Sequence, residues 1–269
     1  AAGHDGGAAR HCLERRESER LRLARQDEEV RRLQDLRHRV EAAEETDVLG
    51  HVERAGLRLG VLPLGARVAM AADSQKLQIG IIGSGHVGSA LGGAWAKAGN
   101  EVMFSSRDLE KDKKLAAEVG ANARAGTPQE AAAFGQVLLF AVPYSAFPGL
   151  IKSLGDSLKG KVVINASNPF PQRDGEIANQ AREKGAGLFD AQLLPGAYVV
   201  RAFNAVPAAR MASAHEDPGK IGMPIAGDRK ATEVASRLVR EAGFEPVLVG
   251  GLDMAKYLMP ATPLAGEHT

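Results

Sequence analysis

The hexapeptide Gly83-Ser-Gly85-His-Val-Gly88 restricts this 269-residue chain more than any other feature, because of what stands on either side of it. Before it runs Leu77-Gln-Ile-Gly-Ile-Ile82, short and almost continuously apolar, the pattern of a strand covered on both faces of a parallel sheet. After it, Ser89–Ala98 is rich in helix formers and closes on Gly99, a residue suited to the end of a helix. In such a strand–turn–helix unit each glycine has its own task. Gly83 allows the tight turn, Gly85 lets the backbone approach a pyrophosphate, and Gly88 lets helix and strand pack closely. The amides that open the helix then face the phosphates with the positive end of the helix dipole. Dinucleotide binding is the expectation; the alternative is a nucleotide-free or S-adenosylmethionine-binding version of the same fold.

The pattern continues in the same style. Strands are expected at Glu101–Phe104, Ala121–Arg124, Val137–Val142, Lys161–Asn165, Tyr198–Ala202, Ile221–Ala226 and Pro246–Val249. Helices are expected at Glu110–Val119, Pro128–Phe134, Gly175–Lys184 and Arg229–Ala242, the second opened by a capping box of Thr127 and Glu130. Strands alternating with helical segments mean βαβ crossovers, so the fold class is α/β: a doubly wound, mostly parallel sheet of Rossmann type. The division is residues 70–205 for the nucleotide-binding domain and 206–269 for a small α/β extension on the same sheet.

Residues 1–69 read differently. They hold 13 Arg and 13 acids but no Lys, Ile, Phe, Tyr, Trp or Asn. The expectation is an extension foreign to the working protein or, second, a charged arm with a helix across Glu14–Glu45; no chemistry is assigned to it. The whole chain carries a net charge of +1, which recommends neither a nucleic acid nor a membrane as partner. Its one cysteine, Cys12, excludes a disulfide framework and a multi-thiolate metal site. No stretch approaches the roughly 18 apolar residues of a membrane span, so a cytoplasmic location is expected.

The end of the second strand discriminates between dinucleotides. An NAD site carries an acid there to accept from the ribose 2′-hydroxyl. This chain has Ser105-Ser106-Arg107, with Lys111 four residues on. Hydroxyls and a guanidinium can donate to a 2′-phosphate with charge assistance, so NADP(H) is expected over NAD(H). Asp108 is expected to point away.

Taken with Ile79–Gly88, Ser106-Arg107 and Lys111, the segments Ala141-Val-Pro-Tyr144, Leu194–Asn204 and Gly250–Tyr257 resemble the coenzyme F420-dependent NADP oxidoreductase family. They are also similar to the cytoplasmic reductase domain of the STEAP metalloreductases. The resemblance covers residues 76–258 and none of 1–69. It implies reversible hydride transfer between NADP(H) and a flavin or deazaflavin co-substrate, in a homodimer. By position, Ser84, Gly85, His86 and Val87 would line the pyrophosphate, and Ser106, Arg107 and Lys111 the 2′-phosphate. Val142, Pro143 and Tyr144 would lie beside the nicotinamide, with Ala202 near them.

Transfer between two rings needs no protein nucleophile, and no catalytic side chain is named. Asn165, Ser167, Asn168, Phe203 and Asn204 are candidates for touching the carboxamide or the acceptor, set against ordinary turn chemistry. Lys256 and Tyr257 are expected to point apart, as surface and packing residues. The rival readings are a β-hydroxyacid dehydrogenase or imine-type reductase, and a non-catalytic NADPH sensor. The first carries an all-helical second domain, whereas residues after about 200 here still read as strands.

Overall fold

The computed structural model describes residues 75–216, 218 and 221–266. The expected extension 1–69 and its helix lie outside the described residues. Eight strands form one sheet: β1 (Gln78–Ile82), β2 (Glu101–Ser105), β3 (Ala123–Ala125), β4 (Val137–Phe140), β5 (Val162–Asn165), β6 (Tyr198–Arg201), β7 (Gly222–Gly227) and β8 (Glu245–Gly250). Their order is β3-β2-β1-β4-β5-β6-β7-β8. Every pairing is parallel except β6 with β7. This is the doubly wound, mostly parallel α/β architecture that the alternating pattern implies.

The helices are α1 (His86–Lys97), α2 (Leu109–Val119), α3 (Pro128–Phe134), α4 (Phe147–Leu154), α5 (Pro171–Asp174), α6 (Glu176–Lys184), α7 (Ala186–Leu193), α8 (Ala208–Ser213) and α9 (Arg229–Glu241). Short 3-10 turns occupy Tyr144–Ala146, Gly155–Leu158, Ala214–Glu216 and Met254–Leu258. α3 carries its capping box in full: the Thr127 hydroxyl accepts from the Glu130 N–H, and the Glu130 carboxylate accepts from the Thr127 N–H. That satisfies two of the donors a helix start leaves open.

Strand alternation sorts the core onto two faces. Ile79, Ile81, Val137, Leu139, Val162 and Ile164 pack with Leu91 and Trp95 of α1, while Ile82, Leu138, Phe140 and Val163 pack with Phe147 and Leu154 of α4. Each such side chain, buried on its face, contributes about 1.5–3 kcal/mol of transfer free energy. The Trp95 indole N–H donates to the Leu238 carbonyl at 2.8 Å, tying α1 to α9 across the antiparallel junction.

Several boundaries moved for physical reasons. α1 begins at His86, so Gly88 is already helical and the glycine turn is shorter than the motif. β4 ends at Phe140, two residues early, because Ala141 and Val142 leave the sheet to line a cleft. The third strand is displaced to Ala123–Ala125. Helices α4, α5, α7 and α8 were not anticipated.

Candidate functional site

The sheet order reverses between β1 and β4, so the loops following these strands diverge and leave a crevice at the carboxyl ends, where open α/β sheets take ligands. A cleft of about 980 Å³ lies there. Its wall runs from Ser106, Arg107, Lys111 and Asp112, past Gly83–Gly85, to Val142, Pro143, Ala146 and Leu150. One end is therefore polar and the other apolar.

The three glycines differ in what a side chain would meet. Gly83 sits at φ +105°, and a Cβ there would stand 2.5 Å from the Ala141 carbonyl oxygen, so the loops after β1 and β4 touch through it. At Gly88 a Cβ would meet the Gly83 carbonyl oxygen at 2.0 Å, which is how α1 closes on the turn. At Gly85 it would meet nothing within 4 Å. The turn is closed on the protein side and open on the cleft side. This bare cradle, at a helix start in a cleft of dinucleotide size, fits a pyrophosphate group. The Gly83 and Ser84 N–H groups donate to the Ser105 carbonyl at 2.9 and 3.1 Å, so the donors for a phosphate come from the first turn of α1, whose N–H groups have no intrahelical acceptor. His86 is exposed, Val87 packs on the core and Gly88 is buried; none of their side chains forms the cleft wall.

At the polar end the serines are not equivalent. The Ser105 hydroxyl is buried and donates to the Ile81 carbonyl at 2.6 Å, which removes it from the set of phosphate donors. Ser106 lines the cleft, but its hydroxyl donates to the Asp112 carboxylate at 2.8 Å. The Ser84 hydroxyl donates to the same carboxylate. Arg107 is exposed and has no hydrogen-bond or ionic partner among the described residues. Lys111 is also exposed, its ammonium 3.6 Å from Asp108. Asp108 is not simply turned away as expected: it caps α2, accepting from the Lys111 N–H at 3.1 Å, and faces that side chain.

Sequence reasoning missed Asp112. It is 1% exposed, and the buried face of α2 contains it together with Ala116. An acid four residues before Ala116, on the stripe that the helical period assigns to the core, was the available signal.

The apolar end differs from expectation more sharply. Val142 and Pro143 line the cleft, but the Tyr144 side chain turns inward and is fully buried, stacked on Phe147 at 5.0 Å. Its hydroxyl donates to Asp190 at 2.7 Å and accepts from Arg201 at 2.7 Å. Arg201 also donates to Asp190 at 2.8 Å and to the Ser167 carbonyl at 2.7 Å. Burial pulls the Arg201 pKa down, but Tyr144 and Asp190 outweigh this and hold its guanidinium above the ordinary arginine range. Burial drives the Tyr144 phenol well above its usual value. Ala202 and Phe203 are core residues too: Phe203 meets Trp95 edge-on at 5.8 Å and takes a positive φ of 64°. Contact of Tyr144 or Ala202 with a nicotinamide is therefore not made by their side chains as they stand.

The candidates beyond β5 are engaged in turn chemistry. Asn165 accepts from the Ser167 N–H at 2.9 Å, Asn168 donates to the Asn204 carbonyl at 2.7 Å, and Asn204 donates to the Leu258 carbonyl at 2.6 Å. A further unforeseen residue, Asp174, takes hydrogen bonds from the Ser145 hydroxyl, the Phe170 N–H and Arg173, which fixes the loop that carries Ser145 and Ala146 into the cleft. Burial pushes its carboxyl up, but Arg173 and the backbone donors of Phe170 and Ser145 outweigh this and hold it below the usual range. The Lys256 ammonium lies 4.8 Å from the centre of the Tyr257 ring, so in this 3-10 turn the two neighbours meet instead of pointing apart.

A glycine turn opening a helix at the switch point of a doubly wound sheet defines a Rossmann-type nucleotide-binding protein. The sequence profile described as "NADP oxidoreductase coenzyme F420-dependent" matches residues 78–169. The chain is 31% identical over 206 residues to the F420-dependent NADP reductase of Methanothermobacter thermautotrophicus, covering 70% of this chain and 87% of that one. It is 30% identical over 180 residues to metalloreductase STEAP3 of Rattus norvegicus, covering 66% of this chain and 35% of that one. Among solved structures, a hypothetical protein from Sinorhizobium meliloti superposes with a TM-score of 0.61 at 26% identity, over 73% of this chain and 96% of the other. The chain belongs to the coenzyme F420-dependent NADP oxidoreductase family and is an NADP-dependent oxidoreductase. No helix among the described residues is long and apolar enough to cross a membrane.

Proposed function

We propose that this chain transfers hydride between NADPH and a deazaflavin or flavin acceptor. The observation that carries the reading is the continuity of the cleft: one cavity runs from Arg107 and Lys111, past the open face of Gly85, to the apolar wall of Val142, Pro143, Ala146 and Leu150. That sequence of surfaces matches a phosphorylated ribose, a pyrophosphate and an uncharged ring. The name of one relative, F420-dependent NADP reductase, supports the same reading.

In this reading Arg107 and Lys111 supply charge to the 2′-phosphate, and the first turn of α1 supplies amides to the pyrophosphate. Val142 and Pro143 give the ring an apolar neighbour. Asp174 holds the Ser145–Ala146 segment against it through the Ser145 hydroxyl. The nicotinamide, when bound, supplies or takes the hydride. The chain contributes proximity, alignment and exclusion of water, and no side chain has to accept or donate a proton for the transfer itself.

The test is steady-state oxidation of NADPH by the full chain with F420, FMN, FAD and riboflavin, and separately with cyclic imines and β-hydroxyacids. Turnover with at least one deazaflavin or flavin, and little with the others, is expected. Tight NADPH binding without turnover on any ring acceptor would overturn the assignment in favour of a sensor.

A further inference from the structure

We infer that Asp112 narrows the cleft's discrimination between NADPH and NADH. The inference rests on the reading above, in which the Ser106–Arg107 end holds the 2′-phosphate. Asp112 is a buried carboxylate in the wall of that end, where it receives both neighbouring hydroxyl groups: Ser106 at 2.8 Å, and Ser84 from the glycine turn. A carboxylate only accepts, so each serine must give it a proton. The Ser106 oxygen also accepts from the Asp108 N–H at 3.1 Å. Both hydroxyls thus turn lone pairs, not protons, toward the cleft.

Lone pairs suit a ribose hydroxyl, which can donate. They do not suit a phosphate, which has only acceptors to offer. A group bonded to Ser106 also stands within two hydrogen-bond lengths of a negative charge, which repels a phosphate and leaves an uncharged ribose unaffected. The exposed Arg107 guanidinium favours the phosphate from the other side. The site therefore holds two opposed preferences. The acid missing from the end of β2 is replaced by one arriving from α2, acting through the serines as a positioning residue.

The experiment measures dissociation constants of NADPH and NADH by fluorescence titration, for the unmodified chain, Asp112→Ala, Asp112→Asn and Arg107→Ala, with a melting curve for each. In Asp112→Ala, NADPH should bind about tenfold or more tightly and NADH no better than before, the size of a removed unfavourable charged contact. Asp112→Asn keeps the shape without the charge and should move the same way, which carries the test if the alanine variant melts early. A gain for one nucleotide alone is something general loosening of the helix cannot produce. An unchanged preference in both Asp112 variants, with Arg107→Ala still selectively weakening NADPH, would overturn the inference and leave the phosphate reading intact. Equal weakening of both nucleotides by Arg107→Ala would overturn the phosphate reading, and the inference with it.

Discussion

Two clusters of charge among the described residues are built on opposite principles. Beneath the ends of β5 and β6, Arg201, Asp190 and Tyr144 are wholly buried and spend nearly all of their polar atoms on each other and on the Ser167 carbonyl. At the ends of β1 and β2, Arg107 and Lys111 stand in water. A buried pair is expensive to break because the survivor is stranded in low dielectric, whereas an exposed charge costs little to lose and is free to meet a ligand. The buried cluster contributes no residue to the cleft wall, whereas Arg107 and Lys111 line it and, in the proposed reading, meet the cofactor. Substitutions should separate them cleanly: stability in one region, affinity in the other.

The largest effect is expected at Arg201. Arg201→Ala strands the Asp190 carboxylate and leaves the Tyr144 hydroxyl with one partner, so destabilisation of about 3–5 kcal/mol is expected in urea unfolding. For a domain of this size that lowers Tm by roughly 10 °C or more. Joining Asp190→Leu to Arg201→Met removes both charges and should recover much of the loss. If Arg201→Ala unfolded at the same denaturant concentration as the parent, the contrast between the clusters would be lost.

Next comes the exposed region. Arg107→Ala should leave the unfolding midpoint unchanged and raise the apparent constant for NADPH by a lost charge-assisted contact, about 1.5–3 kcal/mol, with little change for NADH. A comparable fall in stability would mean that Arg107 holds the fold and does not serve the cofactor.

The same contrast explains what could be read from the residues alone. The glycine turn was legible because each of its demands is local: a positive φ at Gly83, contact at Gly88 and open space at Gly85 follow from six adjacent residues. The buried cluster was not. Asp190 and Arg201 stand eleven residues apart on α7 and β6, and only the tertiary packing of that helix makes them partners. Tyr144 was read as a ring neighbour because it follows Pro143 in the family-like segment. A one-residue turn of the chain sent it inward while Ser145 came out. Helix α4 was not anticipated; Pro148 stands in its first turn, where a proline starts a helix instead of breaking it. An apolar run also carries no direction, so the antiparallel entry of β7 had no signal.

Asp174 lies between the two extremes, with a buried carboxylate bonded to loops rather than to a strand. Its folded pKa is depressed, so its contribution is complete above the unfolded carboxylate value near 4 and fades as pH falls through the lower folded value. Asp174→Asn should cost roughly 1–2 kcal/mol at neutral pH and progressively less in acid. Unfolding curves of both proteins across the acid range test this; a difference constant with pH would show that the charge is irrelevant.

The smallest effect sharpens the comparison most. The Lys111 side chain is 82% exposed and 3.6 Å from Asp108, a pair of the kind that adds little to stability. Lys111→Ala should change the unfolding free energy by less than about 0.5 kcal/mol. Its long-range charge nonetheless adds to the field at the polar end of the cleft, so NADPH should bind several-fold more weakly at low salt. That deficit should shrink as ionic strength rises, because screening at about 0.1 M already reaches across roughly 10 Å. A salt-independent loss would mean that Lys111 makes a direct, desolvated contact and belongs with the buried kind of charge after all.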